Sequence, residues 1–243
     1  GNMRETINAI VFGWYPYICF TVFLLGSLFR FDREQYTWRT GSSQLLRRRQ
    51  LTWGSNLFHI GILMIAGGHF VGLLTPIWVF DMLGVSHSFK QMLAIVAGGI
   101  AGLMCLVGIS LLTHRRLFDP RIRANSSFGD TAILLLLFAQ LLLGLSTIFV
   151  SLGHLDGHEM VKFMSWAQGI VTLQPNAASY VLDVHPIFKA HLVLGMTLFL
   201  VFPFTRLVHM WSAPVWYLGR RGYQIVRRRG GSEVSSPPVQ PAE

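Results

Sequence analysis

Between Glu5 and Arg30, and again between Arg49 and Asp81, the chain carries no formal charge. Each run exceeds the ~20 apolar residues that a helix needs to cross a bilayer core. Five stretches read this way. The first runs from about Asn8 to Phe29 and the second from Leu51 to Leu74. The third lies between Lys90 and His114, and the fourth runs from Thr131 to Gly153. The fifth runs from Ile187 to Trp211 and contains Pro203 and Arg206. Only 13% of the residues are charged, against about 25% in a soluble domain. The segment AILLLLFAQLLLGLSTIFVSLG has no polar face, which argues against a soluble helical bundle. The expected fold is an all-α, five-helix transmembrane bundle. The first stretch is too long for a signal-peptide core and no A-x-A site follows it, so it is expected to stay as helix one.

The basic residues orient the bundle. Arg30, Arg33, Arg39, Arg47, Arg48 and Arg49 follow helix one. Arg115, Arg116, Arg121 and Arg123 follow helix three, and Arg206, Arg220, Arg221, Arg227, Arg228 and Arg229 end or follow helix five. Of the 20 basic residues, only Arg4, Lys90, Lys162 and Lys189 remain for the other side. The positive-inside rule then predicts an external N-terminus and a cytoplasmic C-terminus. Each basic run abuts a membrane helix, which favours topology over nucleic-acid binding. Residues 1–229 read as one membrane domain. The tail over 230–243, GGSEVSSPPVQPAE, has a disordered composition. The outer loop from Leu152 to Lys189 contains MVKFMSWAQGIVTL, which predicts an amphipathic helix at the interface.

Four of the nine histidines fall inside the apolar stretches. His59 and His69 lie on helix two, and His191 and His209 on helix five. His87, His114, His154, His158 and His185 fall in loops or at helix ends and read as surface residues. An ionisable group at membrane depth marks function by default. Helices two and five run in opposite directions, so depth pairs His69 with His191 and His59 with His209. The axial spans, about 15 Å and about 27 Å at 1.5 Å per residue, do not match. Tilt and a kink at Pro203 can absorb the difference. Eighteen residues are about five turns, which predicts one face for His191 and His209.

Two imidazoles facing each other across a helix pair form an axial ligand set for haem iron. Gly61, Gly67, Gly68 and Gly195 flank these histidines. They admit either a porphyrin or close helix packing. A single buried histidine would read as an interhelical hydrogen bond or a proton relay. Zinc would be left short of its usual three or four ligands. Cys19 and Cys105 form no C-x-x-C pair, and C-x-x-C-H is absent, which excludes covalently attached c-type haem. A haem-free channel or transporter with a histidine relay is the alternative from another class. It would be expected to add intramembrane acids, and the sequence shows none.

The chain resembles the gamma subunit of membrane-bound respiratory nitrate reductase, a di-haem cytochrome b family. The resemblance rests on YPYICFTVFLLGSLFRFDREQYTWR, SNLFHIGILMIAGGHFVGLLTPIW, RRLFDPRIRA and HLVLGMTLFLVFPFTRLVHMWSAPVWYL. It implies two haem b groups, an outer one on His69 and His191 and an inner one on His59 and His209. It implies quinol oxidation near the outer haem, with Lys90 and Gly68 at the quinol site. Electrons would pass inward to an iron-sulfur subunit, then to a molybdenum subunit that reduces nitrate, at a bacterial inner membrane. A cation at Lys90 can hydrogen-bond a quinol oxygen and can snorkel to the interface. Arg206 lies three residues before His209 and could pair with a haem propionate. Trp211, Trp216 and Tyr217 read as an inner aromatic belt, and Gln140 as an interhelical hydrogen-bonding residue. A related di-haem anchor serving another reductase is the alternative within the same class. The loop VFDMLGVSHSFK and the tail beyond Arg229 depart from the family pattern.

Overall fold

The computed structural model describes residues 1–34, 48–121 and 128–205. Arg206 and His209 therefore lie outside the described residues, as do Trp211, Trp216, Tyr217 and the boundary at residue 229. The described residues contain helices and no strand. Five of the helical spans are long and apolar enough to cross a membrane: Met3–Arg30, Gln50–Leu74, His87–Phe118, Phe128–Leu152 and Pro186–Phe204.

The first span is not one uniform helix. α1 (Met3–Ala9) passes through a π-helical turn (Ile10–Trp14) into α2 (Tyr15–Glu34). Pro16 has no N–H, so it cannot supply the donor that an α-helix would send to Phe12 O. The indole N–H of Trp166 donates to that carbonyl at 2.9 Å. A wider turn and an incoming donor thus accommodate a proline inside an apolar helix.

The remaining elements are α3 (Arg48–Leu74), α4 (Ile77–Met82), α5 (His87–Phe118), α6 (Phe128–Leu152), α7 (His158–Val171) and α8 (Pro186–Val201). Short 3-10 turns follow at Ala177–Val181 and Phe202–Phe204. Ser86 caps α5 by accepting from Phe89 N at 3.1 Å. His185 caps α8 by accepting from Ile187 N at 3.1 Å, with Pro186 in the first turn. That gives one of the five surface histidines a structural task.

α3 and α5 form the tightest seam. A Cβ on Gly108 would meet Phe58 N and Gly54 O, the latter at 2.8 Å. A Cβ on Gly61 would lie 2.8 Å from Cys105 Sγ and 2.9 Å from Ala101 O. Small residues let two backbones approach where lipid offers no hydrophobic drive for association. α5 then packs on α6, α6 on α8 and α8 on α2. α3 and α8 are not closely packed neighbours among the described residues. In contact order the helices thus run as an arc, α3, α5, α6, α8 and α2.

The 152–189 loop folds back over one end of this arc. α7 buries Met164, Trp166, Ala167, Gly169 and Ile170. Of these, Trp166, Ala167 and Ile170 pack with Phe12, Cys19, Ala177, Ala178, Val181, Val184 and Met196 in the main hydrophobic core. Gln168 Nε2 donates to Leu73 O at 3.1 Å and Thr75 O at 2.9 Å, tying α7 to the end of α3. The expected interfacial helix is thus a packed cap over the bundle.

Helix five is broken near Pro203, and its expected end at Trp211 lies outside the described residues. α8 stops at Val201, and Thr205 is extended at φ −123° and ψ 169°. Pro203 removes a helical donor and restricts the residue before it. A Cβ on Gly26 of α2 would lie 2.7 Å from Pro203 Cβ, so the glycine makes room for the break. Arg30 donates to Pro203 O at 2.6 Å and to Thr205 O at 3.3 Å, satisfying carbonyls the break releases. The expected shared face of His191 and His209 involves a residue outside the described ones.

Candidate functional site

The rings of His69 on α3 and His191 on α8 meet, although these helices are not neighbours in the contact order. Their ring centroids are 6.2 Å apart with planes at 54°. His69 Nδ1 lies 2.8 Å from Ile65 O, one turn back on its own helix. A ring N–H donated there fixes the tautomer and leaves the Nε2 lone pair free for a ligand. His191 is placed by α6. Gln140 Nε2 donates to its backbone carbonyl at 3.0 Å, the interhelical role expected of Gln140. A Cβ on Gly144 would lie 3.0 Å from His191 Cε1, so the ring occupies space that only glycine leaves. His191 Nδ1 is buried and has no hydrogen-bond partner.

The separation of the His69 and His191 rings would suit two imidazoles bound to one metal centre. Two metal–imidazole bonds of about 2.0 Å, plus roughly 1.1 Å from each nitrogen to its ring centre, sum to about 6.2 Å. The separation found is 6.2 Å. The glycines divide between the two roles the sequence left open. Gly61 is filled by Cys105, and a Cβ on Gly195 would lie 2.9 Å from Gln140 Nε2, so both serve helix packing. Gly67, Gly68 and Gly72 have nothing within 4 Å of where a Cβ would stand. Gly68 and Gly72 lie within about 100° of His69 around α3, so that side of the helix is open beside the histidine, whereas Gly67 lies about 160° away.

Ten residues before His69, His59 repeats the arrangement. Its Nδ1 lies 2.6 Å from Ser55 O and 3.1 Å from Ser55 Oγ. The ring of buried Phe58 meets it edge-on at 5.8 Å. His59 thus also presents Nε2 away from its own helix, and the residue paired with it by depth, His209, lies outside the described residues.

Lys90 sits beside the first pair. It is buried, and its Nζ donates to Gly72 O at 2.8 Å and to Met164 Sδ at 2.8 Å. It also lies 3.8 Å above the centre of the Phe80 ring, within cation–π range. Gly72 is one turn beyond His69, so the ammonium stands about 4.5 Å further along the helix axis. The expected snorkelling lysine is instead turned inward, because the α7 cap closes the way to water. Met164, Phe80, Gly144 and Ser55 were not singled out from the sequence. Ser55 carried a local signal, four residues before a histidine. The others become visible only once α7, α4 and α6 pack.

Comparison with known proteins gives the family of the chain. The family model for the nitrate reductase gamma subunit matches residues 8–229. The respiratory nitrate reductase 1 gamma chain of Escherichia coli (strain K12) is 52% identical over 225 residues, covering 93% of this chain and 99% of the relative. The respiratory nitrate reductase 2 gamma chain of the same organism is 51% identical over 227 residues, covering 93% and 100%. The nitrate reductase gamma chain of Bacillus subtilis (strain 168) is 39% identical over 221 residues, covering 90% and 98%. With its five membrane-length helices and a match over nearly its whole length, the chain belongs to the nitrate reductase gamma subunit family.

Proposed function

We propose that this chain is the quinol-oxidising di-haem cytochrome b subunit of a respiratory nitrate reductase. It anchors the partner subunits to the cytoplasmic face of a bacterial inner membrane. The observation that carries this reading is the His69–His191 pair, 6.2 Å between ring centres, beside a buried lysine. In this reading His69 and His191 hold an outer haem b, and His59 and His209 an inner one. Bound haem supplies one-electron carriage between quinol at the outer face and an iron-sulfur subunit inside, beyond which a molybdenum subunit reduces nitrate.

The chain's own residues do the rest. Ile65 O and Ser55 O hold the His69 and His59 rings in the tautomer that offers Nε2. The contacts of Lys90 are a carbonyl, a thioether and an aromatic face, all uncharged. Its charge is thus not neutralised by a carboxylate there, and it can turn a donor towards a quinol oxygen as that oxygen gains negative character. Gly68 leaves the α3 surface open beside it. The α7 cap shields this place from bulk water. Protons released outside and electrons drawn inside both add to the membrane potential.

The test uses the assembled complex in membranes. His69→Ala is expected to abolish quinol-dependent nitrate reduction and to spare reduction driven by a viologen dye, which donates directly to the soluble subunits. Quinol-dependent activity unchanged in His69→Ala would overturn the reading.

A further inference from the structure

The two α3 histidines are held differently. His69 Nδ1 has one acceptor, Ile65 O at 2.8 Å. His59 Nδ1 lies 2.6 Å from Ser55 O and 3.1 Å from Ser55 Oγ, and with its N–H donated to the carbonyl the hydroxyl oxygen can only accept from it as well. The backbone around this second contact is fixed from the other side. Phe58 is buried against the notch at Gly108, and Cys105 Sγ donates to Phe58 O at 3.6 Å. Ser55 cannot drift from His59 without opening the α3–α5 seam.

An imidazole N–H that donates to a strong acceptor gains imidazolate character. It then becomes a better electron donor to a bound metal and favours the metal's more oxidised state. A second acceptor on the same N–H adds to that effect, and Ser55 is the only hydroxyl in contact with either α3 histidine among the described residues. We infer that Ser55 is a positioning residue whose hydroxyl lowers the reduction potential of the inner haem by acting through His59. The inference rests on the di-haem reading above. It makes the potential difference between the two haems partly a property of one side chain on α3. Helix geometry alone gives both histidines the carbonyl; only the serine distinguishes them.

The experiment is an optical redox titration of the full chain in its native membrane complex, wild type against Ser55→Ala and Ser55→Thr. Alanine keeps the backbone carbonyl and suits a helix interior, so folding is expected to survive. Haem content per chain, measured by pyridine haemochrome, accompanies each titration. With two haems retained, Ser55→Ala is expected to shift the inner haem upward in potential and leave the outer one in place. Ser55→Thr is expected to restore most of the shift, because it returns the hydroxyl. An inner potential unmoved in Ser55→Ala with both haems bound would overturn the inference, as would an equal shift of both haems. A haem-free wild-type chain would instead overturn the di-haem reading itself.

Discussion

His191 lies against Gly144, which leaves the space into which the imidazole fits, 6.2 Å from His69. A methyl at residue 144 would stand 3.0 Å from His191 Cε1, close enough to push the ring by a few tenths of an ångström. A bulkier branched group would displace it entirely. Gly144→Ala is therefore expected to weaken one haem site and Gly144→Val to empty it, with the second site kept. Haem per chain by pyridine haemochrome, with the reduced α-band resolved into its two components, checks this.

The open glycines on α3 should respond in the opposite sense from the packed ones. At Gly108 an added Cβ meets the Phe58 backbone and Gly54 O, which cannot yield without separating α3 from α5. Gly108→Ala is expected to destabilise the bundle by roughly 1–3 kcal/mol, the usual cost of overpacking. At Gly67 and Gly68 an added Cβ meets no protein atom within 4 Å. Gly68→Ala, on the His69 side, is expected to keep the thermal stability of the haem-free chain in detergent and to lower haem occupancy or quinol oxidation instead, while Gly67→Ala, on the opposite side, is expected to change neither. Thermal unfolding and haem content measured on the same preparations separate the two classes.

Much of this was legible in the sequence, and the rest was not for definite reasons. The five membrane spans followed from long uncharged runs, since a single charge at bilayer depth is expensive enough to be conspicuous. The meeting of His69 with His191 followed from depth alone, because two helices of opposite direction equate positions near the same face. Gly61 and Gly68 could not be told apart, since both lie beside a histidine and only the packing of α5 decides which is filled. The role of α7 was also hidden. An amphipathic pattern states that one face is buried and not against what, and here the partner is protein. Pro203 signalled a disturbance, but whether a proline kinks or ends a helix depends on groups such as Gly26 and Arg30 that receive it.

The Trp166 contact tests the account of the loop end. Its indole N–H supplies the donor that Pro16 withholds from Phe12 O. Trp166→Phe keeps most of the apolar volume and removes that donor. The buried carbonyl left without a partner is expected to cost about 1–3 kcal/mol. Thermal unfolding should show it, while Trp166→Phe in a chain that also carries Pro16→Ala should recover part of the loss.

Lys90 offers charge without a carboxylate partner among the described residues, and its replacement separates quinol chemistry from haem binding. Lys90→Met keeps the apolar stem and removes the donors to Gly72 O and Met164 Sδ. A charge-assisted hydrogen bond contributes roughly 1.5–3 kcal/mol, so quinol-dependent turnover is expected to fall by about 10- to 100-fold. Both haems should remain, and viologen-driven nitrate reduction should be unchanged. Steady-state kinetics with each donor on the same membranes checks the split.

The central claim is that His69 and His191 hold one and the same haem. It is tested by counting haem in His69→Ala, in His191→Ala and in the double variant, with reduced-minus-oxidised spectra of each. A shared site predicts that all three lose the same spectral component and that the double variant retains as much haem as either single one. Loss of different components in the two single variants, or loss of both haems only in the double variant, would contradict it.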